Sequence, residues 1–331
     1  MAFSARVLDS QDAFDVQPGE TLLAAAKRGG VRLPHACTLG GCGTCRVKVT
    51  EGRVRYDGFP LALSREEAAQ GYALACQALA ETDVVIDVPR VDFAQPMHQM
   101  AMVTDIAPLC DDVTRLQLVL PDLGALSYRP GQHMNLTLPD GTHRSFSMAS
   151  APNGNEIDFH IRRIRGGRFT EKLLGEMQAG DMVDVEIPLG TFRYHDEDYR
   201  EILMVATGTG ISPLKCILES LMDDPDCPPV SLYWGGRRAE NLYLDADIRS
   251  WADRLYEFKY HPVLSCADGG WAGHRGHVQE AVKRDIADLS EHSIYLCGSP
   301  AMIHDAKEVF LGMGASVDHI YTDGFNFQHS A

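Results

Sequence analysis

Four of the nine cysteines in this 331-residue chain are spaced as metal ligands would be. Cys37, Cys42 and Cys45 stand at C-x4-C-x2-C, and Cys76 follows after 30 intervening residues. That spacing suits a [2Fe–2S] cluster, in which two irons share four protein thiolates. Three ligands on one loop and a fourth from a distant segment require the loop to wrap the cluster closely. Gly40, Gly41 and Gly43 suit this, since they accept positive φ and let backbone N–H groups approach sulfur. A zinc site would normally pair C-x2-C with a second such pair, whereas Cys76 stands alone. The other five cysteines, Cys110, Cys216, Cys227, Cys266 and Cys297, read by default as small buried hydrophobes. An odd total without an export signal argues against a disulfide framework.

A second constellation follows. Arg144-Ser145-Phe146-Ser147 lies on a strand after Pro130-Gly131-Gln132, and Gly166-Gly167-Arg168-Phe169-Thr170 opens a helix. Thr170 is expected to N-cap that helix, with the glycines exposing N–H groups to a phosphate. Arg144 could add a bidentate contact, and Phe146 could cover an apolar ligand body. A third constellation begins with the buried run Ile202–Ala206, which leads through Thr207-Gly208-Thr209-Gly210-Ile211-Ser212-Pro213 into a helix. A glycine-rich turn from a parallel strand into a helix is a dinucleotide-phosphate site, although Pro213 occupies the place of the third glycine. Tyr233-Trp234-Gly235-Gly236-Arg237 and Cys297-Gly298-Ser299-Pro300 end two later strands, where open α/β sheets bind ligands.

The elements that must position these groups fall into three regions. In residues 1–92, strands are expected at Phe3–Leu8, Ala13–Val16, Arg46–Thr50 and Val84–Val88. A helix Leu22–Arg28 is opened by Thr21 and stopped by Gly29-Gly30. Residues 93–97 read as a linker, within a polar, aperiodic stretch that extends to Met100. Residues 98–196 offer short strands at Met102–Ile106, Thr114–Leu120, Gln132–Leu138, His143–Met148, Glu156–Arg163 and Met182–Ile187, with one helix at Thr170–Met177; this is the rhythm of an antiparallel barrel. Residues 197–331 alternate strand and helix from Glu201–Ala206 to Ala301–Leu311, which implies a parallel sheet covered on both faces. The fold class is therefore multidomain, α+β followed by α/β.

Composition bounds the alternatives. Apolar residues make up 45% and charged residues 23%, and the net charge is −16, with 21 acids against 11 bases in residues 197–331. Such acidity opposes a nucleic-acid surface. No apolar run is long enough for a membrane span, and the N-terminus lacks the basic and apolar segments of a secretory signal. A cytoplasmic protein, acting as a monomer without membrane or nucleic-acid partners, is the expectation.

On these motifs the chain resembles a known family. Leu33-Pro34-His35-Ala36-Cys37 and Leu74-Ala75-Cys76-Gln77 resemble the ligand contexts of plant-type ferredoxins of β-grasp fold. Arg144–Ser147 and Thr207–Pro213 resemble the R-x-[YF]-S and T-G-T-G-I-[SA]-P motifs of ferredoxin–NADP reductase-like proteins, whose FAD domain is an antiparallel barrel and whose NAD domain is a Rossmann-like parallel sheet. The resemblance implies that Arg144 and Ser145 belong to the FAD pyrophosphate segment. It places Phe146 against the flavin and Ser147 near flavin N5. Gly167, Phe169 and Thr170 would surround phosphate, and His160 and Arg162 would lie on the strand along the isoalloxazine edge. Thr207, Gly208, Thr209, Gly210 and Pro213 would hold the nicotinamide dinucleotide, Gly236 and Arg237 the adenosine ribose, and Cys297 and Gly298 would sit beside the nicotinamide. At the C-terminus Phe325 would cover the flavin, with Asp323 two residues earlier; a core phenylalanine is the alternative. FMN in place of FAD, and NADPH in place of NADH, stay open, with Glu240 after Arg237-Arg238 favouring NADH.

Across its length the chain resembles reductase components of bacterial oxygenases that carry an N-terminal ferredoxin, such as terephthalate and naphthalene dioxygenase reductases. The implied activity is transfer of a hydride from NADH to FAD and of single electrons through the [2Fe–2S] cluster to a partner. A terminal oxygenase acting on an aromatic compound is the first expectation. A CDP-6-deoxy-glucoseen-type reductase of deoxysugar synthesis, a di-iron monooxygenase reductase and a redox-sensing iron–sulfur protein are the alternatives.

Overall fold

The computed structural model describes residues 2–89 and 96–325. It divides into two compact units: one gathers the N-terminal residues to Asp92, Ser299–Glu308 and the segment from Thr322, and the other takes the remainder.

The first unit contains β1 (Phe3–Val7), β2 (Ala13–Val16), α1 (Leu22–Arg28), β3 (Arg46–Glu51), β4 (Val54–Arg55), α2 (Arg65–Ala69), β5 (Tyr72–Leu74), β6 (Leu79–Ala80) and β7 (Val84–Asp87). Its main sheet has the order β2-β1-β7-β3-β5. The central pair β1 and β7 is parallel and the other pairs are antiparallel, which is a β-grasp arrangement. Helix α1 starts where expected because Thr21 Oγ1 accepts from Ala24 N–H. It buries Leu22, Leu23, Ala25 and Ala26, the face that period 3.6 brings together. Gly30 follows in the left-handed conformation at φ 74°. Four short elements, β4, α2, β5 and β6, were not expected. Helix α2 carried a readable signal, since Ser64 and Glu67 form a complete capping box.

The second unit holds two sheets. The first comprises β8 (Met97–Cys110), β9 (Val113–Val119), β10 (His133–Thr137), β11 (His143–Ser147), β12 (Glu156–Arg162) and β13 (Met182–Leu189) in the order β11-β10-β13-β8-β9-β12. Its paired strands are all antiparallel. The ends of the sheet meet where Ala149 N–H, just past β11, donates to Asp158 O of β12 at 2.8 Å, so the sheet curls into a barrel. Of the expected linker 93–97, residues 93–95 lie outside the described residues and Met97 already belongs to β8. The start of that strand was hidden because His98 and Met100 face solvent while the backbone pairs with β13 from Met97 onward. A π-helical turn, Arg168–Leu173, continues into α3 (Leu174–Glu176).

The second sheet is built with β14 (Glu201–Thr207), α4 (Ile211–Leu221), β15 (Val230–Gly236), α5 (Asp245–Ser250), β16 (Lys259–Leu264), β17 (His274–Arg275), α6 (Val278–Asp285), β18 (His292–Gly298), α7 (Pro300–Leu311) and β19 (Ile320–Gly324), of which α7 to Glu308 and β19 from Thr322 are counted with the first unit. The order is β17-β16-β15-β14-β18-β19, and β14 pairs in parallel with both β15 and β18. Residues 202–206 of β14 are all buried, as a central strand covered on both faces requires. The chain leaves β14 toward β15 and later returns to its other side as β18. That reversal makes the carboxyl ends of β14 and β18 the topological switch point. No helix among the described residues is long and apolar enough to cross a membrane.

Candidate active site and redox centre

The cysteine loop lies in the first unit. Cys42, Cys45 and Cys76 are buried and Cys37 is partly exposed. The thiols act on one another in two pairs, Cys37 with Cys42 and Cys45 with Cys76, and Cys42 Sγ also lies 3.3 Å from Thr44 Oγ1. A hydrogen bond from Cys42, reinforced by backbone N–H groups of Leu39, Gly41 and Cys42, draws the Cys37 thiol down to about 5. Cys42 and Cys45 are pushed up, first by donating to their partners and then by burial. Among the described residues, no three of these sulfurs fall within 4.8 Å of one another. One tetrahedral zinc ion would require all four to converge; two pairs fit two irons with two thiolates each.

The loop around the sulfurs explains its composition. Thr38, Gly40 and Gly43 have φ of 57°, 74° and 81°. A Cβ on Gly40 would stand 3.0 Å from both Gln77 Cγ and Pro60 Cβ. Gln77, whose role was not expected, also donates from Nε2 to Thr38 O at 3.0 Å. Residues of β19 lie against the same loop, where a Cβ on Gly43 would meet Thr322 Oγ1 at 3.0 Å and one on Gly324 would meet Cys42 Cα at 3.2 Å. Asp323 and Phe325, both partly buried, therefore belong to the body that carries the cysteines.

The flavin constellation lies on the barrel. Arg144 and Phe146 are half-buried on β11, Ser145 is exposed and Ser147 is buried. Arg144 donates to the carbonyl of His143 at 2.8 Å and has no acidic partner among the described residues, which leaves its charge available to an anion. Phe146 packs on Phe169 at 5.2 Å between ring centroids. The expected N-cap is corrected. Gly167 is the capping residue, and Thr170 sits within the first turn. Its hydroxyl folds back to accept from Ile164 N–H at 3.1 Å. A Cβ on Gly167 would collide with Thr170 Oγ1 and Ile164 O, so the turn is tight enough that only glycine fits. Gly166 N–H donates to Glu171 Oε2 at 2.6 Å and Gly167 N–H to Ile164 O at 2.8 Å, so an anion here would be met by the N–H groups that follow Gly167, which a helix start leaves without intrahelical partners. These residues fit a flavin diphosphate.

The nicotinamide constellation gathers at the switch point. Gly208–Gly210 forms a 3₁₀ turn leading into α4, in which Pro213 is buried within the first turn, where its missing N–H costs nothing. A Cβ on Gly210 would strike Cys297 O and stand 3.0 Å from Gly298 N. The structure thus brings Thr207–Gly210 and Cys297–Gly298 into backbone contact. Thr209 lies in the turn, and Cys297 is fully buried at the end of β18. Gly236 and the exposed Arg237 end β15, with their carbonyls taken by Ser265 and Cys266 N–H groups.

His160 and Arg162 join the two halves of this unit. The Arg162 guanidinium covers Gly208, within 3.0 Å of where a Cβ would stand, and its Nε lies 3.2 Å from Asp112 Oδ2. His160 is 7% exposed and hydrogen-bonds Tyr243 Oη at 3.2 Å. Burial pushes its pKa down to about 3, so the ring is neutral. Tyr243 packs edge-on against Trp234, and Trp234 Nε1 donates to Gly208 O at 2.9 Å. Tyr243 and Trp234 support the glycine turn. Neither supporting role was expected, because contacts between separate segments leave no mark in residue spacing.

Three family models match in the order these sites occur: "2Fe-2S iron-sulfur cluster binding domain" over residues 6–81, "Oxidoreductase FAD-binding domain" over 100–194 and "Oxidoreductase NAD-binding domain" over 204–308. The CDP-6-deoxy-L-threo-D-glycero-4-hexulose-3-dehydrase reductase of Yersinia pestis is 32% identical, covering 98% of this chain and 99% of its own. Reductase component 2 of a Comamonas terephthalate 1,2-dioxygenase is 30% identical, covering 98% of each. The crystal structure of an Amycolatopsis cytochrome P450 reductase superposes with a TM-score of 0.73 at 32% identity, covering 98% of both chains. Paired cysteines, a flavin-diphosphate cradle and a dinucleotide turn, in the order and full length of these relatives, mean that the chain belongs to the family of NADH-dependent reductases that carry FAD and an N-terminal [2Fe–2S] domain.

Proposed function

We propose that this reductase supplies single electrons to the terminal oxygenase of an aromatic-ring-hydroxylating system, and that they leave the chain at Leu39. The reading divides the chain into a ferredoxin domain to residue 92, an FAD domain over 98–196 and an NAD domain from 197. The acceptor reading draws on the oxygenase reductases among the relatives. The exit rests on one observation: beside the partly exposed Cys37, Leu39 is 65% exposed, and Phe59 and Leu61 are exposed on either side of Pro60, whose Cβ would lie 3.0 Å from a Cβ on Gly40. Exposed apolar side chains at a redox loop suit a transient protein partner.

Hydride chemistry at the flavin and one-electron chemistry at the cluster are what the two groups supply when bound. The chain's own part is placement. Arg144 and the turn at Gly167–Thr170 would hold the FAD diphosphate, Phe146 packed on Phe169 would offer the flavin an aromatic wall, and Ser147 would stand near its reactive edge. Thr207–Gly210 and Pro213 seat the nicotinamide dinucleotide, Gly236 and Arg237 take its adenosine end, and Cys297–Gly298 backs the nicotinamide ring.

Arg144→Ala is expected to lose FAD on gel filtration, with a Kd about 10- to 100-fold weaker, equivalent to the ~1.5–3 kcal/mol of a hydrogen bond to a charged group. A variant that keeps a full complement of FAD would remove Arg144 from the site. For the acceptor, the purified reductase with NADH should reduce a Rieske oxygenase many times faster than a pyridoxamine-phosphate dehydratase. Leu39→Glu should slow that step while flavin reduction is unchanged. Faster reduction of the dehydratase would assign the chain to deoxysugar chemistry, as the Yersinia relative's name suggests.

A further inference from the structure

We infer that His261, His274 and Asp285 form a binding site for a divalent transition metal, with zinc the fitting ion, separate from both redox groups. Their ligand atoms all lie within 4.8 Å of one another. His274 Nε2 stands 3.0 Å and His261 Nδ1 3.7 Å from Asp285 Oδ2. Zinc bonds of about 2.0–2.1 Å at tetrahedral angles place neighbouring ligand atoms roughly 3.3 Å apart. The two distances bracket that value, so small side-chain rotations would seat the ion.

The three ligands come from three elements. His261 lies within β16, His274 opens the edge strand β17 and Asp285 ends α6. Each is held from behind. Tyr233 stacks on the His261 ring at 4.3 Å between centroids, inclined by 9°, and its hydroxyl donates to Asp285 Oδ2 at 2.9 Å. Trp271 Nε1 donates to the His274 carbonyl at 3.0 Å. A carboxylate oriented by a tyrosine and an imidazole held by a stacked ring are the kind of outer support that metal ligands receive.

Hydrogen bonding alone leaves the cluster unexplained. Asp285 Oδ2 already takes Tyr233 Oη and faces His274 Nε2. His261 Nδ1 makes no hydrogen bond among the described residues and still points at the same oxygen. A cation between them would use all three lone pairs. The side chains keep 25%, 26% and 28% exposure, which leaves room for a water as fourth ligand. His261 lies three residues before the end of β16, and its sheet partner Tyr233 three before the end of β15, whereas the dinucleotide turn follows β14. The effect of the ion would be to clip the short edge strand β17 to β16 and α6.

The test is zinc content of the EDTA-washed holoenzyme, incubated with zinc chloride, desalted and analysed for zinc and iron together. The expected result is one zinc per chain above the EDTA-washed baseline, with iron unchanged and a raised melting temperature. His261→Gln and His274→Gln should each abolish the retained zinc and the thermal shift, with NADH-to-flavin turnover intact. Tyr233→Phe should weaken binding about tenfold, the lower end for loss of an outer-shell partner. Absence of retained zinc, or equal retention by both glutamine variants, would overturn the assignment and leave a hydrogen-bonded histidine–aspartate cluster. Zinc taken up with matching loss of iron would place the ion in the cysteine loop and overturn it equally.

Discussion

Cys42→Ser should leave a protein whose flavin NADH still bleaches but which passes no electrons to a one-electron acceptor. Iron is expected to fall from two per chain toward zero, because serine is a poor match for an iron that its pair-mate Cys37 cannot hold alone. Cys42 is buried and is one half of a sulfur pair, so no neighbouring cysteine can take its place without unfolding the loop. The flavin and dinucleotide groups lie in the other compact unit, and their hydride step has no need of the cysteines. Anaerobic NADH titration would show this as loss of absorbance near the flavin maximum without the rhombic EPR signal that a reduced cluster gives in the wild type. The same variant with an unreduced or missing flavin would contradict the division into separate redox modules. A second outcome, residual iron with acceptor turnover intact, would mean that Cys42 is not a ligand.

The cluster was legible because its chemistry fixes residue type, number and spacing together. Cys37, Cys42, Cys45 and Cys76 could be read without knowing the sheet. The sheets were also legible: alternating burial in β2, continuous burial in β14 and the glycine turn between β14 and α4 each have a single physical reading. What the sequence concealed was local direction. Thr170 has the right type for an N-cap, but the π-helical turn starts two residues earlier and reuses its hydroxyl to close the preceding loop on Ile164. Tyr243 and Trp234 support Gly208 through contacts between segments far apart in sequence, and spacing cannot show such contacts. The strand at Met97 was obscured by its solvent-facing residues. Ser64 and Glu67 form a capping box whose S-x-x-E spacing is legible in the sequence, whereas the burial of Glu67 is not.

Lys307→Ala should be among the most destabilising single changes in the first unit. Lys307 is 2% and Glu67 1% exposed, and Lys307 Nζ reaches both Glu67 carboxylate oxygens at 2.8 Å and Ala62 O at 3.1 Å. All three ammonium protons are therefore used. Glu67 also accepts from Arg46 at 2.8 Å and from Ser64 N–H at 2.7 Å. One carboxylate thus caps α2, meets Arg46 of β3 and holds the Ser299–Glu308 segment to the fold that carries the cysteines. Burial raises the Glu67 pKa, but Lys307 and Arg46 outweigh it and hold the carboxyl below the usual range; burial presses Lys307 downward against the pull of Glu67. Removing the lysine leaves a buried carboxylate with half its compensation, a loss of about 3–5 kcal/mol. Urea melts followed by visible circular dichroism of the cluster would read it as an earlier midpoint. Because the wild-type Glu67 pKa is depressed, its stabilising contribution is complete above the unfolded value of about 4.3 and is lost as pH falls through the folded one. In Lys307→Ala, burial dominates and raises the folded pKa instead, so acid relieves the variant first. The gap between the two proteins should narrow as pH drops from ~7 toward ~5. Lys307→Met combined with Glu67→Met should recover much of the loss, since Arg46 is 24% exposed and can turn to water. A double variant no more stable than Lys307→Ala would show that packing of the aliphatic stems, and not the charge, holds this segment in place.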